Sequence, residues 1–174
     1  MNSDFIKIFH REKSGGFALI EVIVAVSLIT TGLIAAYTLI VSTISSTTYA
    51  SHRLTAAYLA QEGIELVRNI RDTNWLQEKD WETGLIDLCP SSTWCEIDYN
   101  GNLFVGEDHY LNIEDGIGPY GYGGGSENIT TPFERKIYLD GVINDILKVR
   151  VIVEWQEKGH TNQISVMENL YNWK

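Results

Sequence analysis

From Phe17 to Val41 the chain reads FALIEVIVAVSLITTGLIAAYTLIV, longer than the roughly 20 apolar residues that carry a helix across a bilayer. A chain of 174 residues has room for one ordinary domain with a modest core, plus an N-terminal segment of a different character. The run therefore points to a spanning helix. Lys7, Arg11 and Lys13 precede it, against Asp4 and Glu12, and the chain as a whole carries 13 Lys and Arg against 23 Asp and Glu. Basic residues ahead of the span and an acidic region far behind it place the N-terminus inside and the bulk of the protein outside. The net charge of -10 also argues against a protein whose affinity comes from neutralising a phosphate backbone, so no nucleic-acid partner is assumed.

One residue departs from this pattern. Glu21 lies inside the apolar run, where a carboxylate costs on the order of 3 kcal/mol on insertion scales. A plain signal anchor gives no reason for that charge. A cleaved secretory signal has a short apolar core before its small-residue cleavage site, whereas the run ahead of Ala35 and Ala36 is long. If the chain is instead cut between Gly16 and Phe17, the new α-amine sits one helical turn before Glu21, and the two charges compensate. In a helical assembly the same carboxylate can neutralise the terminal amine of a neighbouring subunit and fix the register of one helix against the next. Both partners satisfy the charge.

The stretch Lys13-Ser14-Gly15-Gly16-Phe17-Ala18-Leu19-Ile20-Glu21 resembles the prepilin cleavage and methylation motif, and with it the chain resembles the type IV pilin family. In that family a membrane-embedded aspartyl peptidase cuts after the glycine and the same enzyme N-methylates the exposed residue. The resemblance thus implies cleavage at Gly16 and Phe17, N-methylation of Phe17 and an assembly role for Glu21. Ala18 stands where Thr is common. The implied partners are the prepilin peptidase and methyltransferase, other pilin subunits in a helical filament and an inner-membrane assembly platform. The implied location is the inner membrane, single-pass with the C-terminal domain extracytoplasmic, and then a cell-surface or periplasmic filament.

No proline occurs before Pro90, and only Gly32 and Gly63 interrupt the segment from Phe17 to Arg71, so one long helix is expected. At about 1.5 Å per residue it reaches on the order of 80 Å, well past a hydrocarbon core of about 30 Å. In its second half Ala50, Leu54, Ala57, Ile64, Val67 and Ile70 recur at helical spacing, opposite Arg53, Gln61, Glu62, Arg68 and Asp72. That apolar face is expected to cover an ordinary core. The stretch from Ala56 to Asp72 is also similar to a segment of minor pilins and pseudopilins, and the missing proline departs from the bent helix of many major pilins.

After Arg71 no period is sustained until about Thr131, and this segment reads as a connecting region. Cys89 and Cys95 bracket Pro-Ser-Ser-Thr-Trp; outside the cytoplasm they can close a small disulfide loop, and the alternative is two reduced thiols. Gly116 to Gly121 satisfies G-x-G-x-x-G by letter but lacks the flanking strand and helix, so it reads as a loop. Glu107, Asp108, Glu114 and Asp115 match no EF-hand spacing and read as a solvated acidic loop in preference to a calcium site. No function is assigned to the sequon Asn128-Ile129-Thr130.

From Phe133 the period becomes two, over 135–139, 146–155 and 163–171, with turns expected at Asp140-Gly141 and at Glu157 to His160. Leu147, Val149, Val151, Val153 and Trp155 fall on one strand face. The expected fold is α+β and pilin-like: a long N-terminal helix, spanning in its first half, packed through its second half on a small antiparallel sheet. The divisions are a leader at 1–16, the transmembrane and filament-core half of the helix at 17–44, its amphipathic half at 45–72, a variable connection at 73–132 and the sheet at 133–174.

The histidines, His10, His52, His109 and His160, are scattered, and no H-E-x-x-H, G-x-S-x-G or phosphate-binding P-loop occurs. The expectation is a non-enzyme without cofactor or metal: a structural subunit, minor pilin or pseudopilin, of a type IV pilus or type II secretion-like filament. The alternative is a monomeric membrane-anchored extracytoplasmic binding module.

Overall fold

The structure is a computed structural model describing residues 15–87, 89–101, 103–106, 108–113, 116, 118–122 and 129–173, with the backbone alone at 15–17. Residues 1–14, Glu107, Glu114, Asp115 and Asn128 lie outside the described residues. The chain divides into two compact units, Met1–Thr47 and Thr48–Lys174.

One helix, α1 (Gly15–Leu76), contributes to both units. It contains no proline, and a Cβ at Gly32 would meet nothing within 4 Å, so that glycine answers to no packing demand. The helix continues five residues beyond Arg71, which brings Asn74 and Trp75 into the packed end of the second unit. Glu78 then takes a positive φ of 57°, and its backbone N–H donates to the Trp75 carbonyl. The Asn74 amide closes the following loop by donating to the carbonyls of Trp81 and Thr83, at 3.1 and 2.7 Å.

Among the described residues, seven strands form one antiparallel sheet: β1 (Cys95–Ile97), β2 (Leu103–Val105), β3 (Tyr110–Ile113), β4 (Tyr120–Gly121), β5 (Ile129–Ile143), β6 (Ile146–Glu157) and β7 (His160–Tyr171). The 15-residue β5 is its spine. One edge pairs with β6 from Phe133↔Trp155 to Asp140↔Lys148, and the other pairs with β3 near its start and with β1 at Cys95↔Ile137. The segment read as connecting thus supplies four short strands. Each has two to four residues, too few to show a period of their own, and they hold their place by pairing with one another and with β5.

Both hairpins joining the long strands turn through two consecutive residues of positive φ, Asn144 (52°) with Asp145 (58°) and Lys158 (52°) with Gly159 (79°). This geometry matches the twist of antiparallel strands. The turn expected at Asp140-Gly141 is displaced: Gly141 lies within β5, where the register shifts by one residue between Asp140 and Ile143. A bulge absorbs the glycine, and Asn-Asp makes the turn.

Leu147, Val149, Val151, Val153 and Trp155 are all buried on the inner face of β6, as the alternation requires. The helix meets this face through Ala56, Leu59, Ala60, Gly63, Ile64 and Val67. Ile64 and Val67 belong to the expected stripe, whereas Leu54 is 58% exposed and Ala50 is exposed. The buried face is rotated toward small residues because the backbones approach closely. A Cβ at Gly63 would stand 2.9 Å from Val151 Cγ1 and 3.2 Å from Arg135 Cδ.

Arg135 occupies an inward position between Phe133 and Ile137 and is fully buried. Its guanidinium donates to the Ile97 carbonyl at 2.7 Å and to the Leu59 carbonyl at 3.4 Å, and it lies 3.4 Å from the Glu62 carboxylate. The Tyr122 hydroxyl donates to the Arg135 carbonyl at 3.0 Å, and burial pushes that phenol up to about 12. Through its guanidinium and its own carbonyl, Arg135 therefore ties the helix, β1 and the end of β4 to the spine strand.

Replacing Gly63 by Val is expected to destabilise the protein by about 2 kcal/mol through overpacking, with a smaller loss for Gly63→Ala, whose helix propensity offsets part of the clash. Urea unfolding followed by tryptophan fluorescence reads both. An unchanged midpoint for Gly63→Val would contradict the close approach.

Candidate functional site

Every residue from Ala18 to Ile44 is exposed, including Leu19, Ile23, Leu28, Leu33 and Leu39, each between 56% and 69%. The helix is long and apolar enough to cross a membrane. A helix that is apolar all round and uncovered by its own chain requires an apolar medium or other helices.

Five of its hydroxyls bond back onto the helix. Ser27 donates to the Ile23 carbonyl at 2.7 Å, Thr30 to Val26 at 2.8 Å, Thr31 to Ser27 at 2.7 Å, Thr38 to Ala35 at 2.8 Å and Thr43 to Leu39 at 2.8 Å. Folding the hydroxyl back onto the helix removes its demand for water, which hydrocarbon cannot supply. Glu21 has no such solution, because a carboxylate accepts and cannot donate to a carbonyl. It is exposed, and it is the only charged residue from Phe17 to Ser51.

Phe17 and Glu21 lie four residues apart on this helix, so the Phe17 nitrogen and the Glu21 side chain are one turn apart, about 6 Å along the axis. A cut after Gly16 would make Phe17 the first residue of α1. Its ammonium and the helix dipole would then both favour a carboxylate in the first turns.

The two cysteines form a disulfide with a Cα–Cα distance of 5.8 Å, and both are fully buried. Cys95 opens β1 opposite Ile137, and the Cys89 sulfur lies 3.9 Å from the Ile137 carbonyl, so the bridge fastens the loop to β5. Of the acidic loop, Asp108 faces the Lys136 ammonium at 2.9 Å, with Glu154 at 3.4 Å and Glu134 at 3.7 Å. Burial pulls the lysine pKa down, but the Asp108 hydrogen bond and the charges of Glu154 and Asp108 more than reverse this. Glu107, Glu114 and Asp115 lie outside the described residues, and among the described residues no group of three or more His, Cys, Asp or Glu could hold a metal. Within the G-x-G-x-x-G stretch, Tyr120 and Gly121 form β4, a strand where a phosphate-binding turn would require a helix.

Among the described residues, two fully buried ionic groups, Glu96 and Arg135, were not marked as such by sequence reasoning. Glu96 is fully buried in β1, accepting hydrogen bonds from the His109 backbone N–H at 2.8 Å and pairing with its ring Nδ1 at 2.7 Å. Burial raises the pKa of this carboxyl. Its strand is buried at all three positions, so no alternation marks the residue. Arg135 did carry a signal, being in phase with Phe133, Ile137 and Leu139. His52 lies 3.6 Å from Glu157, and His160 opens β7.

A family model described as the prokaryotic N-terminal methylation motif matches residues 11–37. This span contains Gly16, Phe17 and Glu21 and ends within the exposed apolar helix. No curated protein and no solved structure matches the chain.

With a sequence separation of six, the Cys89–Cys95 bridge removes enough chain entropy from the unfolded state to stabilise the second unit by about 2 kcal/mol. The Cys89→Ser, Cys95→Ser double variant is expected to lose that amount in urea unfolding, and wild type under reducing conditions should match it. Equal stability with and without the bridge would contradict its fastening role.

Proposed function

This chain is a type IV pilin-like protein, with a methylation motif on a long apolar helix and an antiparallel sheet behind it, and on that premise we propose that it is a minor pilin or pseudopilin. The prepilin peptidase cuts after Gly16 and methylates Phe17. The helix then holds the subunit in the inner membrane with its C-terminal unit extracytoplasmic. The assembly platform draws it into a filament, where α1 packs against sister helices and the sheet faces outward.

The observation that carries this reading is the chemistry of the exposed helix. Its apolar side chains need an apolar surround, five of its hydroxyls are self-bonded, and its single charge lies one turn from the nitrogen that the cut would free. An anchor that stayed monomeric would gain nothing from Glu21. The minor-subunit reading draws on the absence of proline through α1 and on the segment from Ala56 to Asp72, whose Leu59, Gly63 and Glu62 engage β5 and β6.

Mass spectrometry of protein purified from cells carrying the peptidase is expected to show a chain that begins at methylated Phe17. A chain retaining Met1 would sink the proposal. Glu21→Ala is expected to leave membrane insertion intact and to abolish recovery in sheared filaments. Wild-type recovery would refute the charge-pairing role and leave the cleavage result standing.

A further inference from the structure

At the end of α1 the second unit holds a cavity of about 320 Å³ lined by Trp75, Glu78, Lys79, Asp80, Trp81 and Asn172. That volume falls within the range of small-ligand sites, about 300–1,000 Å³. Its walls are fixed in place. Lys79 N–H donates to the Asn74 carbonyl at 2.9 Å, the Asn74 amide anchors the backbone at Trp81 and Thr83, and Asn172 N–H donates to the Asp145 carbonyl at 3.0 Å. Trp173, next to Asn172, stands edge-on against Trp75 at 4.5 Å between ring centres and remains 70% exposed.

We propose that this cavity is a binding site for a neutral saccharide. The lining suits the other small-ligand classes less well. An anion would meet the carboxylates of Glu78 and Asp80. A cation would meet the Lys79 ammonium and would find one partner of the indole cage already engaged, since the Arg71 guanidinium lies 4.6 Å from the Trp75 ring centre. A purely apolar ligand would strip water from two carboxylates, an ammonium and an amide without replacing their hydrogen bonds. A sugar hydroxyl both donates and accepts, so a ring of hydroxyls can serve the carboxylates, the ammonium and the Asn172 amide together. The C–H face of a pyranose is apolar and flat enough to lie on an indole, and Trp173 offers an exposed one beside the cavity. This site lies far along the chain from the cleavage motif, so the inference stands whether or not the chain assembles.

The test uses the full chain in lipid nanodiscs prepared without glycosidic detergent. Saturation-transfer NMR and tryptophan fluorescence are recorded against glucose, galactose, mannose and N-acetylglucosamine, with tetramethylammonium chloride and sodium acetate as ionic controls. At least one sugar is expected to bind saturably in the millimolar range, with neither ion binding. Asp80→Asn and Trp173→Ala should each weaken that binding by roughly tenfold or more. Met167→Ala, on β7, should leave it unchanged. The near-isosteric Asp80→Asn at an exposed position keeps the fold, which circular dichroism checks. The proposal is overturned if no sugar saturates, if only tetramethylammonium binds, or if sugar affinity is the same in wild type, Asp80→Asn and Trp173→Ala.

Discussion

A carboxylate near the start of a long, otherwise uncharged helical stretch must find a positive partner or stay in contact with water, and in this chain the first thirty residues of α1 provide neither. Five hydroxyls of this stretch bond back to carbonyls. Glu21, the one charged residue from Phe17 to Ser51, has no such local solution. On the proposed reading, a freed ammonium at Phe17, from the same chain or from a neighbour, would supply the partner. That reading would tie insertion, processing and assembly to a single electrostatic requirement.

The second unit meets a comparable problem in the opposite way. Arg135 is a buried charge that would cost several kcal/mol if left alone, and the fold places around it two backbone carbonyls, the Glu62 carboxylate and the Tyr122 ring. Gly63 lies beside it, where an added Cβ would crowd the Val151 and Arg135 side chains at 2.9 and 3.2 Å. The same amphipathic half of α1 that covers the core is thus held at one height and one rotation.

How much of this was legible depended on the length scale of each feature. The long helix, the inner face of β6 and the Lys158-Gly159 turn are repeated local signals, and the sequence carries them. The four short strands were not legible, since two to four residues show no period and β5 and the disulfide position them from a distance. The helix face was misjudged at Leu54 because hydrophobicity favours large residues, whereas close packing selected Ala56, Ala60 and Gly63. Gly141 signals a turn by composition, and only the register of the paired strand reveals it as a bulge. At the processing site the sequence was the fuller source, since spacing alone sets Phe17 one turn from Glu21.

The central claim is that the charge of Glu21 is balanced by the amine of Phe17. Solid-state NMR on assembled protein carrying ¹⁵N at Phe17 and ¹³C at the Glu21 carboxylate measures that distance directly. Dephasing that places the two nuclei within roughly 5 Å, in the range of a hydrogen-bonded ion pair, is the predicted result. Comparison of uniformly labelled filaments with filaments mixed from singly labelled chains assigns the pair to one subunit or to two. No detectable coupling in either sample would contradict the account.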